Sequence, residues 1–373
     1  MKRIFWNQGV ILLMTLLLFS CQKNDLEETS GTALEIAGKK KSLQSATLSV
    51  YATGLNNPRG LEFGPDGMLY VAEGGLGGTN STAGICEQVG FPGPFFGSET
   101  GGRISKISDA GIRTTVTDQL PSTVNIIGDV IGVSDVTFIG NTLYALLGGA
   151  GCSHGVTTFP NGLFRINSDG SHTLIADLSA WARANPVENP AEDFEPDGVW
   201  YSMENVKGTL YALEPNRGEL VKISLDGTIT RVSDISASEG HIVPTALAHH
   251  GNFFVGNLGT FPIQEGSSSI YKVNPDGVVK EWVKGFSTIL GLVIDQQKRM
   301  YVLETTVGAP FPNPGLGRIT MVHPSGKKEI VISGLNLPSS MTMGPDGNLY
   351  VSVWGFGPPA LGGGQVVKIT LGN

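Results

Sequence analysis

Asn57–Gly75 reads NPRGLEFGPDGMLYVAEGG, and Leu337–Gly355 reads LPSSMTMGPDGNLYVSVWG. The phrase returns four more times in weaker form: GVSDVTFIGNTLYALLGG from Gly132, EPDGVWYSMENVKGTLYALEP from Glu195, VPTALAHHGNFFVGNLG from Val243 and ILGLVIDQQKRMYVLETT from Ile289. In each, an apolar strand ends in a Gly/Asn/Asp turn, where positive φ is cheap. A second strand rich in β-branched and aromatic residues follows. After an insert of variable length comes a third strand: GGRISKIS, NGLFRINS, GELVKISL, SSIYKVNP, GRITMVHP and GGQVVKIT. A tight turn and a fourth strand close five of the copies: IRTTVTD, HTLIADL, TITRVSD, VVKEWVK and KKEIVIS. Four antiparallel strands per repeat, arranged radially, make a propeller blade. The sixth copy stops at Asn373 after its third strand, and the missing strand stands at the other end of the chain as Thr47–Thr53, TLSVYAT. The sequence therefore predicts an all-β, six-bladed β-propeller whose N-terminal strand completes the last blade and leaves no open sheet edge.

Fifty-two glycines among 373 residues suit many short strands and turns. A net charge of −8 and the lack of a basic stripe exclude a nucleic-acid partner that works by neutralising phosphates. A single closed propeller of this length needs no second domain and is expected to be a monomer. The first 20 residues read as a processing signal. Lys2 and Arg3 precede the short apolar run Val10–Phe19, and Leu18-Phe19-Ser20-Cys21 resembles a bacterial lipobox. The expected organisation is a lipoprotein signal peptide over 1–20, a polar tether over 21–46 and the propeller over 47–373. Cys21 would carry lipid and hold the protein to a membrane outside the cytoplasm, in the periplasm or on the cell surface of a Gram-negative bacterium. The acids Asp25, Glu27 and Glu28 after Cys21 resemble the surface-export signal of some Bacteroidetes lipoproteins. Cys86 and Cys152 lie in neighbouring inserts of one face, so an oxidising compartment would let them pair.

In a propeller, the starts of the first strands and the ends of the second strands share one face. Aligning the copies gives two columns there. The first-strand starts hold Arg59, Ser134, Asp197, Thr245, Leu290 and Ser339, and the second-strand ends hold Glu73, Leu147, Glu214, Asn257, Glu304 and Val353. Arg59 and Asp197 are candidates for an ion pair across the channel. The carboxylates, with Asp197 and Glu304 foremost, are candidates for Ca²⁺, which takes six to eight oxygens. They would serve equally as acceptors for loop N–H groups. Phe261, Phe311 and Trp354 stand in the inserts of this face, either as a binding rim or as a plug. The candidate binding set is Arg59, Glu73, Asp197, Glu214, Asn257 and Glu304 with those three aromatic residues, for an unknown small molecule or protein partner. The histidines form no metal constellation: His249 and His250 are adjacent on a strand and face opposite ways. The Gly-rich stretches open no helix, so they cradle no phosphate.

From about Leu48 to Thr370 the chain resembles the ScyD/ScyE family of secreted, NHL-like six-bladed propellers. The resemblance rests on NPRGLEFGPDGMLYVAEGGLGG, on VPTALAHHGNFFVGNLGTFPIQEG and on the fifth-blade insert GAPFPNPG. It implies the fold and no particular activity. This chain has Asn257 where Glu is common and Asp197 where an aromatic residue is common. A second resemblance, to gluconolactonase-like calcium propellers, implies a metal held by Glu, Asn and Asp at the first-strand starts. Here that column offers Asp197 alone, in EPDG, and puts Arg59 in a ligand position, where it would repel Ca²⁺. The sequence thus supports a non-enzymatic binding or scaffolding propeller without a required cofactor. The alternative is a calcium-dependent hydrolase or lyase of the gluconolactonase kind.

Overall fold

A computed structural model describes residues 46–191, 194–357 and 363–372. Cys21 and the residues expected to form a signal segment and tether, up to residue 45, lie outside the described residues. The strands form six antiparallel sheets arranged as blades. Blade two runs Val133–Ile139, Thr142–Leu147, Gly162–Ile166 and His172–Asp177 from inner to outer strand. Blades three, four and five begin with the inner strands Ser202–Val206, Pro244–His250 and Ile289–Ile294. Their second strands are Thr209–Glu214, Asn252–Asn257 and Met300–Glu304. Leu69, Val71, Leu210, Val255, Val302 and Val351 are fully buried, as second strands covered on both faces require. Gly67 and Gly347 take φ of 77° and 74° in the two GPDG turns, where an L side chain would be strained.

Blade six consists of Ser340–Met343, Leu349–Val353, Gly364–Thr370 and the N-terminal strand Thr47–Leu55. The N-terminal strand pairs with the third from Thr47↔Thr370 to Leu55↔Gly364 and buries Ala52 and Leu55. It runs two residues past the expected Thr53. Side chains of the last blade also grip the first: Ser339 Oγ donates to the Pro58 carbonyl at 2.6 Å, and Ser352 Oγ to the Arg59 carbonyl at 2.7 Å. Closure therefore reaches the channel.

Two blades depart from the expected pattern. In blade one the inner strand is Pro58–Phe63 and the second Leu69–Glu73. Its third and fourth strands extend to Phe96–Ile107 and Arg113–Val124, irregular around Gly102, and a short strand Val130–Ile131 adds to the sheet. In blade three the inner strand starts at Ser202, well after the Glu195 where the repeat phrase begins. Short helices Leu178–Ala184 and Ile235–Glu239 follow the outer strands of blades two and three, N-capped by Asp177 (2.7 Å to the Ala180 N–H) and Asp234 (3.2 Å to the Ala237 N–H). Cys86 and Cys152 are joined in a disulfide between neighbouring inserts.

Removing residues 1–46 is expected to leave the melting temperature within a few degrees of the full chain. Removing residues 1–55 deletes the closing strand, with Ala52 and Leu55, and is expected to lower it by about 10 °C or more. Scanning calorimetry of both truncations checks this, and equal melting would reject closure by the N-terminal strand.

Candidate functional site

The second-strand carboxylates do not meet at the channel mouth. Glu73 is fully buried inside blade one, where Arg103 contacts it through Nε at 2.8 Å and Nη2 at 2.6 Å. It also accepts from Ser105 Oγ at 2.5 Å and from the Asn56 N–H at 2.6 Å. Glu304 repeats the arrangement with Arg318 (2.7 Å) and the Ser287 N–H (2.9 Å). Asn257 Oδ1 accepts the Ser269 N–H at 2.7 Å, and its Nδ2 donates to the Ile242 carbonyl at 2.9 Å. Glu214 accepts from the Val199 N–H at 2.6 Å and from the Arg217 N–H. Its cross-strand neighbour is Glu219 rather than an arginine, and burial pushes the Glu214 carboxyl up to about 8. These four residues fasten blades one, three, four and five to the segments that lead into their inner strands. Their oxygens are already occupied, so they correct the expectation of a ligand-binding or calcium-binding column.

Asp197 also leaves the channel. It accepts from the Ser153 N–H (2.8 Å) and Oγ (2.7 Å) and from Arg183. The inner strand of blade one is irregular between Pro58 and Leu61, whereas that of blade three pairs in unbroken register from Ser202 to Val206. Tyr201, directly before that strand, is the blade-three residue that reaches Arg59, and Asp197 stays in the linker. Arg59 pairs instead with Asp129, through Nη2 to Oδ1 at 3.1 Å, and donates from the same nitrogen to the Val130 carbonyl at 2.6 Å. Tyr201 lies near the guanidinium, 6.0 Å from ring centroid to Cζ, and its hydroxyl donates to the Ser339 carbonyl at 3.0 Å.

These residues form the floor of a cavity of about 160 Å³ at the mouth of the channel. Its polar members are Arg59, Asn125, Asp129, Ser134, Tyr201 and Thr245. Its walls include Pro92, Phe95, Val199, Leu258, Leu290, Phe311 and Phe356. Of the expected rim, Phe311 lines the cavity and packs at 5.7 Å on Phe356. Phe261, 64% exposed, stands outside with its ring 5.3 Å from that of Phe311. Trp354 packs against the apolar core between blades five and six. Behind the wall, His154 packs against Phe95 with ring centroids 4.7 Å apart and planes tilted by 57°, and its Nε2 meets Glu195 at 3.2 Å. Ser153 Oγ lies 3.3 Å from His154 Nδ1, yet both residues are buried and the hydroxyl is given to Asp197, which excludes Ser153 as an accessible nucleophile.

Deeper in the channel a second cavity, about 380 Å³, is lined on one side by Glu62, Asp135 and Glu204 and on the other by Leu290, Leu292, Met341 and Met343. Asp135 accepts the Val136 N–H at 2.9 Å and the Met203 N–H of the next blade at 2.8 Å. It lies so close to Gly60 that a Cβ there would sit 1.8 Å from Oδ1. Burial pushes Asp135 up to about 7 and Glu204 to about 8, the latter helped by the charges of Asp135 and Glu62. Burial raises Glu62 too. Among the described residues no group of three His, Cys, Asp or Glu side chains is placed to hold a metal ion.

No family model and no curated protein matches this chain. Solved structures do. An oxidoreductase-type protein of Thermus thermophilus, described as a glucose dehydrogenase, is 18% identical over 87% of this chain and 100% of its own, with a TM-score of 0.57. The calcium-binding protein regucalcin of Agrobacterium tumefaciens is 12% identical over 88% and 94%, with a TM-score of 0.54. A gluconolactonase of Xanthomonas campestris is 11% identical over 87% and 90%, with a TM-score of 0.52. At these identities the likeness establishes the fold.

Glu304→Ala leaves Arg318 without its buried partner and is expected to cost about 3–5 kcal/mol, whereas Glu304→Leu with Arg318→Met should cost less. Urea unfolding of the two proteins distinguishes a structural clamp from a surface ligand. The raised carboxyls also fix a pH trend. Asp135, Glu204 and Glu214 hold protons in the folded chain up to about 7 and 8, while in the unfolded chain they release them near the ordinary carboxyl value. Between those limits the folded state binds more protons, so stability falls as pH rises. Melting temperature is expected to drop from pH 5.5 to pH 8.5, and Glu204→Gln should reduce the slope. A melting temperature that rises over this interval would contradict the assignment.

Proposed function

We propose that this propeller binds a small organic molecule in the mouth cavity, with the Arg59–Asp129 pair and Tyr201 orienting it and the aromatic wall supplying contact. The observation that carries this reading is an apolar recess at the channel mouth with a few convergent polar groups, the usual composition of a small-molecule site. The module would be tethered outside the cytoplasm through lipid on Cys21, as the sequence suggests, and would belong with the ScyD/ScyE propellers it resembles.

A second reading, turnover of the bound molecule, is favoured by the fold neighbours, one of them a gluconolactonase. A calcium ion does not fit the inner-strand starts. They present Arg59, Ser134, Tyr201, Thr245, Leu290 and Ser339, and the carboxylate within reach, Asp129, is committed to Arg59. In such an enzyme, hydrolysis of a cyclic ester would draw on the Arg59 guanidinium to stabilise charge developing on the carbonyl oxygen.

The test uses the mature protein and δ-valerolactone, with binding followed by titration calorimetry and hydrolysis by pH-stat, each with and without EDTA. Saturable binding that survives EDTA, and falls at least tenfold in Phe311→Ala, is the expected result. The paired replacement Arg59→Met with Asp129→Leu leaves no unpaired buried charge and should abolish binding while the fold persists. Turnover under the same conditions would establish the enzymatic reading. Activity that EDTA removes and calcium restores would overturn the metal-free site.

A further inference from the structure

The floor of the mouth cavity contains hydrogen-bonding groups that the protein leaves unused. Asn125 is 5% exposed. Its Oδ1 accepts the Ile127 N–H at 3.2 Å and the Asp129 N–H at 2.9 Å, which fixes the amide so that Nδ2 is the free end. No acceptor for that nitrogen occurs among the described residues. Ser134, 4% exposed, lines the same cavity and its hydroxyl likewise has no partner among the described residues. Both donors open onto the same small cavity, so their acceptor comes from whatever fills it, and a ligand that displaces water there must offer one.

The charge of the floor narrows that acceptor further. The positive charge of Arg59 is balanced by Asp129 within a largely apolar recess. A carboxylate ligand would therefore place a net negative charge in a largely apolar recess, and an ammonium ligand would face Arg59. Burying an unpaired charge costs more than burying a neutral carbonyl that meets two donors. The volume, about 160 Å³, restricts the ligand to a body of about one ring.

Resting on the mouth-cavity reading above, we infer that the site selects a small, neutral, ring-sized molecule with a carbonyl-type acceptor directed at Asn125 Nδ2 and Ser134 Oγ, and rejects anions and cations of the same size. Asn125 and Ser134 then set specificity.

Three probes share one ring and differ in charge: cyclohexanone, cyclohexanecarboxylate and cyclohexylammonium. Their binding to the mature protein is measured by methyl-labelled NMR, with Ile131, Val199, Val243, Leu258 and Leu290 as reporters of the cavity. Cyclohexanone should shift these methyls saturably and bind at least tenfold tighter than either ion. Ser134→Ala should weaken it about threefold to tenfold, and Asn125→Leu by tenfold or more. Because Asn125 also holds its own turn, Asn125→Asp serves as the second variant. It keeps the acceptor for the Ile127 and Asp129 N–H groups, removes the free donor and should lose cyclohexanone while retaining the melting transition. Tighter binding of the carboxylate at the same methyls would overturn the ligand class and leave the site standing. Cyclohexanone affinity unchanged in both Ser134→Ala and Asn125→Asp would overturn the roles given to these residues. No shift of the cavity methyls with any probe would overturn the site itself.

Discussion

Closure of the ring by the N-terminal strand is the constraint on which the rest of the molecule depends. The strand's hydrogen bonds to Gly364–Thr370 bring the start of the chain beside its end. The first inner strand begins three residues later, at Pro58. Ser339 and Ser352 of the last blade then hold the carbonyls of Pro58 and Arg59. Arg59 at the mouth is thus placed by contacts between the two ends of the sequence. Asp129 meets it from the extended hairpin of blade one, and Tyr201 from blade three. A broken ring would expose a sheet edge and lose the mouth together.

The blades are held to this ring by buried acids rather than by apolar contact alone. Glu73 with Arg103 and Glu304 with Arg318 occupy the same place in blades one and five, each reaching an N–H of the preceding segment. Such a carboxylate has little reason to leave its partners for a ligand, because a buried charge stripped of its pair is expensive. The pairing was visible in the repeats. Arginine opens the third strand in GGRISKIS and GRITMVHP, the two copies with that Glu–Arg match, and gives way at that position to Leu163 in NGLFRINS and Gln365 in GGQVVKIT, where the second strand ends in Leu147 or Val353. Reading down the second-strand column alone made a structural clamp resemble a binding column.

The blade count and the displaced strand were legible because they rest on local periodicity and on turn chemistry. The site was less so, for two physical reasons. Register in a strand is set by its hydrogen-bonded partner, and in blade three the paired inner strand begins only at Ser202, which leaves Tyr201 beside Arg59 and Asp197 in the linker. Asp129 and Asn125 arrive on a turn beyond a hairpin whose extension, Phe96–Ser98 against Ser122–Val124, carries no repeat signal. The acids Glu62, Asp135 and Glu204 were likewise hidden, since they come from three different inner strands and meet only in the closed channel.

The account's central claim is that the mouth cavity, and neither the second-strand acids nor the deeper acidic channel, is where a small molecule is held. A crystal structure of the propeller, residues 47–373, grown with cyclohexanone tests it most directly. The account predicts the ring between Phe311, Phe356 and Leu290, with the carbonyl oxygen in hydrogen-bond reach of Asn125 Nδ2 and Ser134 Oγ. Density for the molecule in the cavity of Glu62, Asp135 and Glu204, with the mouth left to solvent, would contradict it.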